Sequence, residues 1–275
     1  MILLVHSNLD TAGVNIANSV LENYSFTKTA QTYQKNPVYT SEINGKHVSF
    51  LTLEQEAVNA QYLQEDYPNA KLVVFLSRHS SQNGKPTLSV HAPGNFGDAE
   101  LGGLPKTLSV SPAQAMQNAL KALLHYKETL NLFAYEVSFE CTHHGPSLNV
   151  PTMFVELGSS PKQWSDLKAA QAVACSAMSA IENFKVPTSS AVLGIGGTHY
   201  NQRFTTMALI GEAAFGHMIP KYAIHLVDSQ MLSQCVDKTL EKVPLAILDW
   251  KGIKGEDKPN LLQALEAVGL PYKKV

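Results

Sequence analysis

The chain opens on the apolar run "MILLV", followed from Asp10 to Tyr24 by apolar positions recurring at helical spacing. That pattern predicts a buried strand feeding a helix, the opening of an α/β unit. In "YTSEINGKHVSFLTL" two β-prone arms flank Asn44-Gly45, which predicts a type I′ hairpin. "KLVVFLS", Lys71 to Ser77, has the length of a central strand, and its carboxyl end delivers "SRHSS". Open α/β sheets place their ligands at such ends.

Two long helices share one start signal. In "SPAQAMQNALKALLHYKETL", Ser111 is the predicted N-cap, Pro112 the first helical residue and Gln114 the partner of a capping box. Ser160, Pro161 and Gln163 repeat the signal ahead of "WSDLKAAQAVACSAMSAIENF". "YEVSFE", "MFVEL", "SAVLGI" and "LAILDW" read as strands, "SQMLSQCVDKTL" as a helix capped by Asp228, and "PNLLQALEAVGL" as a last helix with Pro259 near its start. The alternation predicts one α/β domain over residues 1–275, a mixed sheet with flanking helices. The Gly/Pro/Asn-rich stretch from Gln82 to Gly103 is long for a connector and reads as a functional loop or a small loop-rich subdomain around 82–110.

Composition narrows the function classes. The 44% apolar content suits an ordinary core, and the net charge of −2 provides no global field to attract a polyanion. A nucleic-acid partner therefore requires a local basic patch. Three widely spaced cysteines, Cys141, Cys175 and Cys235, fit a reducing compartment better than a disulfide framework. "MILLV" lacks the basic lead and the length of a signal peptide, and no apolar run approaches the roughly 20 residues that span a bilayer. No membrane association and a cytoplasmic location are the expectation.

The chemistry concentrates in loops at strand ends. "ECTHHGP", Glu140 to Pro146, sets a carboxylate, a thiol, a hydroxyl and two imidazoles before a Gly-Pro turn. Each of these groups costs free energy if buried without a partner. His79, His91, His199 and His217 occupy similar loops, so a shared rim is expected, suited to metal-assisted hydrolysis or to proton transfer. Successive side chains on an extended backbone point to opposite sides, so His143 and His144 are not expected to grip one ion together. Glu140 can serve as ligand, general base or the carboxylate that fixes an imidazole tautomer. The plainer alternative makes the two histidines polar turn residues, since the spacing is not the helical HExxH pattern. "GIGGTHY" can bring the N–H groups of Gly196 and Gly197 to an oxyanion or phosphate, or can simply be a tight turn. Arg203 and Lys221 follow closely and can meet a phosphodiester or remain solvated. Ser77, Ser80 and Ser81 lack a GxSxG elbow, Cys141 reads as a buried thiol, and His6 and His125 read as structural.

Seven segments in order, "SNLDTAGVNI", "SRHSS", "HAPGN", "ECTHHGP", "PTMFVELGSS" with Trp164, "GIGGTHYNQRFT" and "AFGHMIPKY", resemble the archaeal and plant family of D-aminoacyl-tRNA deacylases nearly end to end. Cys141 stands where the family more usually has a small apolar residue, and Asn201-Gln202 where Ala-Pro is common. The resemblance implies hydrolysis of the ester joining a D-amino acid to tRNA, a zinc (Zn2+) requirement, a monomer and a phosphorylase/hydrolase-like fold. On that basis zinc is expected on some of His79, His144, His199 and His217. Glu140 or His143 then moves the proton, and Arg78, Thr142, Gly196, Gly197, Arg203 and Lys221 contact the substrate. Contacts near Cα are expected to exclude the L hand while tolerating varied side chains. The competing readings are a metal-free nucleoside phosphorylase or peptidyl-tRNA hydrolase-like enzyme, and a non-catalytic tRNA-binding protein.

Overall fold

The computed structural model describes residues 1–275. Its strands are β1 (Ile2–Ser7), β2 (Thr27–Tyr33), β3 (Asn36–Ile43), β4 (Lys46–Leu53), β5 (Leu72–Arg78), β6 (Thr87–His91), β7 (Glu136–Phe139), β8 (Thr152–Gly158), β9 (Val192–Ile195), β10 (Phe215–Ile219), β11 (Ala246–Leu248) and β12 (Tyr272–Lys274). Its helices are α1 (Thr11–Asn23), α2 (Leu63–Asp66), α3 (Ala113–Thr129), α4 (Pro161–Trp164), α5 (Leu167–Asn183), α6 (Gln202–Leu209), α7 (Ser229–Asp237) and α8 (Lys258–Ala267). None is long and apolar enough to cross a membrane.

An eight-stranded mixed sheet runs β2-β3-β4-β1-β5-β8-β6-β7, and a four-stranded parallel sheet runs β10-β9-β11-β12. The mixed α/β architecture is the expected one. Asn44 and Gly45 both take positive φ, 49° and 72°, and close the β3–β4 hairpin with Ile43 opposite Lys46. Within the stretch around 82–110, β6 lies inside the larger sheet, antiparallel to β8 and parallel to β7.

The two faces of the larger sheet have different fates. Along β8, Met153, Val155 and Leu157 join the main core, packed with α1, α3 and α5 residues such as Ile16, Met116 and Val173. Phe154 belongs to a smaller cluster on the opposite face with Leu3, Val5, Phe75, Leu148 and Val150. The strand period of two therefore puts Glu156 on that second face, away from the helices. The four-stranded sheet has its own core, built from Leu193, Ile195, Leu232 and Leu248.

Helix starts follow the sequence signals in part. Asp10 caps α1 by accepting from Gly13 N–H at 2.9 Å, and Asp228 caps α7 from Met231 N–H at 2.8 Å. The signal at Ser160 yields only the short α4; Asp166 then restarts the chain as α5, accepting from Ala169 N–H at 3.1 Å. Ser111 does not cap α3. Its backbone bridges to Thr239, its Oγ has no partner, and the bridge brings Glu241 over the helix end. Glu241 accepts from Ala113 N–H at 3.0 Å and Gln114 N–H at 2.9 Å, so a carboxylate 128 residues away does the work assigned to the local serine.

Glu241→Ala is expected to cost about 1–2 kcal/mol of stability, and Ser111→Ala less than about 0.5 kcal/mol, in urea titrations. A larger loss for Ser111→Ala than for Glu241→Ala would restore the local cap and contradict the observed one.

Candidate functional site

Strand ends from both sheets deliver the site. His79 follows β5, His91 ends β6, Glu140 to His144 follow β7, Glu156 sits within β8, and His199 and Tyr200 follow β9. Glu140 N–H donates to Val90 O at 3.0 Å and Cys141 N–H to His199 O at 2.9 Å, which sews the β7 exit to both neighbours. Gly158 makes room for the His79 ring, because a Cβ there would fall 2.6 Å from the ring carbon Cδ2. Trp164 Nε1 donates to His79 O at 2.9 Å and holds the same loop from α4.

The centre is an ionic cluster. His79 Nδ1 lies 3.1 Å from Glu140 Oε1 and 3.6 Å from Glu156 Oε2, while its Nε2 meets the Tyr200 hydroxyl. Burial works against charge on His79, yet the two carboxylates hold its pKa up at about 11, so it is an imidazolium. Burial likewise opposes ionisation of the acids, but His79 and His91 keep Glu156 down at about 2, and His199 and His79 keep Glu140 well below the usual carboxylate range. Glu140 Oε1 is out of line for a hydrogen bond with His79 and has no other partner. Its Oε2 accepts from His199 Nε2 at 2.9 Å and lies 3.6 Å from His143 Nε2.

Around this centre stands a group of imidazoles, each anchored through Nδ1. His143 Nδ1 donates to Cys141 O at 2.8 Å, His144 Nδ1 to Gly145 O at 2.7 Å, and His91 Nδ1 to Ala92 O at 3.3 Å. The three ring centroids lie 4.3 to 4.8 Å apart. Burial drives His143 well below its ordinary pKa and His144 down to about 4, with the neighbouring His91 adding to both. Both therefore present Nε2 lone pairs at neutral pH. The expectation that adjacent histidines must diverge fails here, because His144 adopts a left-handed backbone, φ 43°, that swings its ring to the same side as that of His143.

His91 completes the trio. Its Nε2 is buried without a hydrogen-bond partner, 3.6 Å from Glu156 Oε1, which raises its pKa against the effect of burial. That atom is placed to hold a cation, whether proton or metal. Three imidazoles with ligand atoms within 4.8 Å of one another, each oriented by a carbonyl on its other nitrogen, fit a zinc-type donor set. Two further triads, Glu140–His143–His199 and His79–Glu140–Glu156, meet the same distance criterion.

Of the expected site residues, His79, Glu140, His143, His144 and His199 come together. His79 sets Nδ1 against Glu140 and Glu156 and Nε2 against the Tyr200 hydroxyl, and forms a converging triad with the two carboxylates. His217 stands apart as a correction to the expected ligand set: Nδ1 is occupied by Thr142 Oγ1 at 3.1 Å, and Nε2 donates to Ser109 O and Lys238 O. Thr142 is buried, and its hydroxyl is used by His217 and by Met218 N–H. Gly196 and Gly197 do not form an anion hole, because their N–H groups already donate to Ile219 O at 2.8 Å and Gly252 O at 3.2 Å. Arg78 is committed to Glu56 at 2.8 Å and Leu9 O at 3.1 Å, and Arg203 to Asp249 at 3.2 Å. Lys221 remains exposed, outside every ion pair. Cys141 is buried and its pKa pushed up, as expected of an inert thiol. Sequence reasoning gave Glu156 no role, and its only signal is one acid inside the otherwise apolar "MFVEL".

A cavity of about 520 Å³ opens beside His143 and His144, lined by the loop from Gly94 to Leu101, Lys106, Tyr222 and Leu226. Tyr222 OH meets His199 Nδ1 at 3.0 Å, so one wall of the cavity touches the ionic cluster.

Comparison with known proteins places the chain. A family model described as D-aminoacyl-tRNA deacylase matches residues 66–273. D-aminoacyl-tRNA deacylases of Thermococcus kodakarensis and Pyrococcus horikoshii are each 34% identical, the first covering 99% of both chains and the second 100% of both. A crystal structure of a conserved protein of unknown function superposes with a TM-score of 0.87 at 31% identity, covering 100% of this chain and 95% of that one. The chain belongs to the D-aminoacyl-tRNA deacylase family.

Proposed function

We propose that this protein hydrolyses the ester linking a D-amino acid to tRNA, releasing the free amino acid and reusable tRNA, as a cytoplasmic monomer that requires zinc. The observation that carries the catalytic reading is the convergence of His91, His143 and His144, each fixed through Nδ1, beside the Glu140–His79–Glu156 cluster at a cavity wall. These three imidazoles would hold the metal. When bound, zinc supplies a water of lowered pKa and a Lewis acid for the ester carbonyl.

The protein's own groups handle the proton. Glu140 Oε2 stands between His143 Nε2 and His199 Nε2, and both rings are about a quarter solvent-exposed. Glu140 accepts from His199 Nε2, which fixes the tautomer of that ring, and it stabilises the imidazolium that forms when His199 takes a proton from the attacking water. Tyr222 holds the other face of His199, so the ring can return the proton to the departing ribose oxygen without reorienting. His79 keeps its charge and neutralises Glu140 from behind, which leaves Oε2 directed at His199.

Broad side-chain acceptance is part of the proposal, with the substrate side chain seated in the cavity of about 520 Å³. Discrimination of the hand then falls on contacts near Cα, where His143, His144 and the backbone of Gly94 and Asn95 form the wall. Lys221 and Arg203 stand near the His199 loop and are proposed to meet substrate phosphates, Arg203 by exchanging its exposed contact with Asp249.

With matched D- and L-tyrosyl-tRNA, hydrolysis of the D ester alone is expected; it stops on chelation and returns with zinc. Equal hydrolysis of both hands would defeat the substrate reading, and full activity after verified metal removal would defeat the metal reading. His91→Ala should bind little zinc by metal analysis and lose turnover together, whereas unchanged zinc content would remove His91 from the ligand set. Glu140→Gln is expected to lower kcat by roughly 10²–10⁴-fold with zinc retained. Glu156→Gln should lower stability by about 3 kcal/mol in denaturant titrations, because it strips a partner from a buried imidazolium.

A further inference from the structure

We propose that the acceptor stem of the tRNA docks on the lysine-flanked face around Trp250 at the β11–β12 edge of the smaller sheet, an inference that rests on the deacylase reading above. With a net charge of −2, the chain as a whole does not attract a polyanion, so tRNA affinity must come from a local concentration of cations.

Trp250 carries that concentration. Lys274 Nζ sits 3.8 Å from its ring centroid and Lys258 Nζ 4.3 Å, and Lys274 also lies 5.8 Å from Tyr272. Two ammonium groups on one ring repel each other, and neither Lys258 nor Lys274 has a carboxylate within 4.0 Å. Lys251, next to Trp250 in the same turn, is exposed. Lysines on an edge strand also discourage strand addition, which accounts for Lys273 and Lys274 on β12. It does not account for Lys258, which arrives from α8 to the same ring.

The face is continuous with the site. Gly252, in the Trp250 turn, accepts from Gly197 N–H at 3.2 Å, and Gly197 accepts from Lys221 N–H at 2.9 Å. Tyr222 follows, with its hydroxyl on His199 at 3.0 Å. Arg203, on Asp249 next to Trp250, lies alongside. A duplex whose phosphates rest on Lys258, Lys274 and Lys251 would extend its single-stranded end past Lys221 toward Tyr222 and the cavity. Phosphate-backbone recognition fits this surface, since the exposed cations are lysines, which act as point charges without base readout.

The test is the double charge reversal K258E/K274E, with K28E/K35E, on β2 and in the β2–β3 turn at the far edge of the larger sheet, as a control of equal charge change. Each is assayed on D-tyrosyl-tRNA across a salt series and on 3′-D-tyrosyl-adenosine, which carries the ester without the stem. For K258E/K274E the tRNA KM should rise roughly tenfold at moderate salt, and the slope of its logarithm against log salt should fall by about two, with kcat retained. Its rate on the adenosine ester should match that of the parent, which also shows that the variant is folded. K258A/K274A should give a smaller change of the same sign. An unchanged KM and slope, or an equal rise in the K28E/K35E control, would overturn the docking surface. Failure of the unmodified protein to cleave either ester would instead overturn the deacylase reading.

Discussion

Two carboxylates, Glu140 and Glu156, are buried at the centre of the site, and its arrangement follows from the need to balance them. Isolated, each would take up a proton to avoid a desolvated charge. The imidazolium of His79 between them, with His199 on Glu140 and His91 on Glu156, keeps both ionised. That single cation explains the demands on its surroundings: a residue without a side chain at Gly158, a tryptophan donor to its carbonyl, and a tyrosine hydroxyl on its remaining nitrogen. Removing one partner leaves the others as uncompensated buried charges, so the cluster stands or falls as a unit.

The cluster also sorts the histidines by protonation state. His79, between carboxylates, is held cationic; His143 and His144, buried beside each other and His91, are held neutral. Groups of one residue type thus acquire opposite roles within a few ångströms, the usual way a protein obtains both a fixed charge and available lone pairs near neutral pH. Any metal or proton arriving at the outer trio meets carboxylates already charged and already oriented, which lowers the reorganisation needed during reaction.

Local signals in the sequence were reliable where one residue sufficed. Asn44-Gly45, Asp10 and Asp228 behave as their chemistry predicts, because a turn or a cap needs only its neighbours. Ser111 failed because Glu241, remote in sequence, reaches the helix N–H groups with both oxygens of its carboxyl group. The gathering of Glu140, His143, His144, His79 and His199 was legible from their strand-end positions and from the family resemblance. How each nitrogen is used was not. His217 looks like its neighbours in sequence, and only the fold reveals that Thr142 and two carbonyls consume its nitrogens. Glu156 was hidden by the reverse effect: strand alternation sends it to the face opposite Val155 and Leu157, yet a linear reading sees one acid in an apolar run.

These particulars explain why the site sits at the seam of two sheets. The larger sheet contributes His79, His91, Glu140 and Glu156, while His199 and Tyr222 arrive from the smaller one. The seam is closed by backbone pairing of Cys141 with His199 and of Thr142 with Met218, and by the bridge between Glu140 and Tyr200. His217 reinforces it through Thr142, so its buried, neutral ring is a structural device that sets the position of the Glu140–His144 loop against β10. A chemically equipped residue is thereby spent on geometry, and the reason is spatial: His143 and His144 stand together at the cavity wall only because the loop that bears them is fixed at Thr142 on one side and, through Gly94 N–H to His144 O at 2.7 Å, on the other.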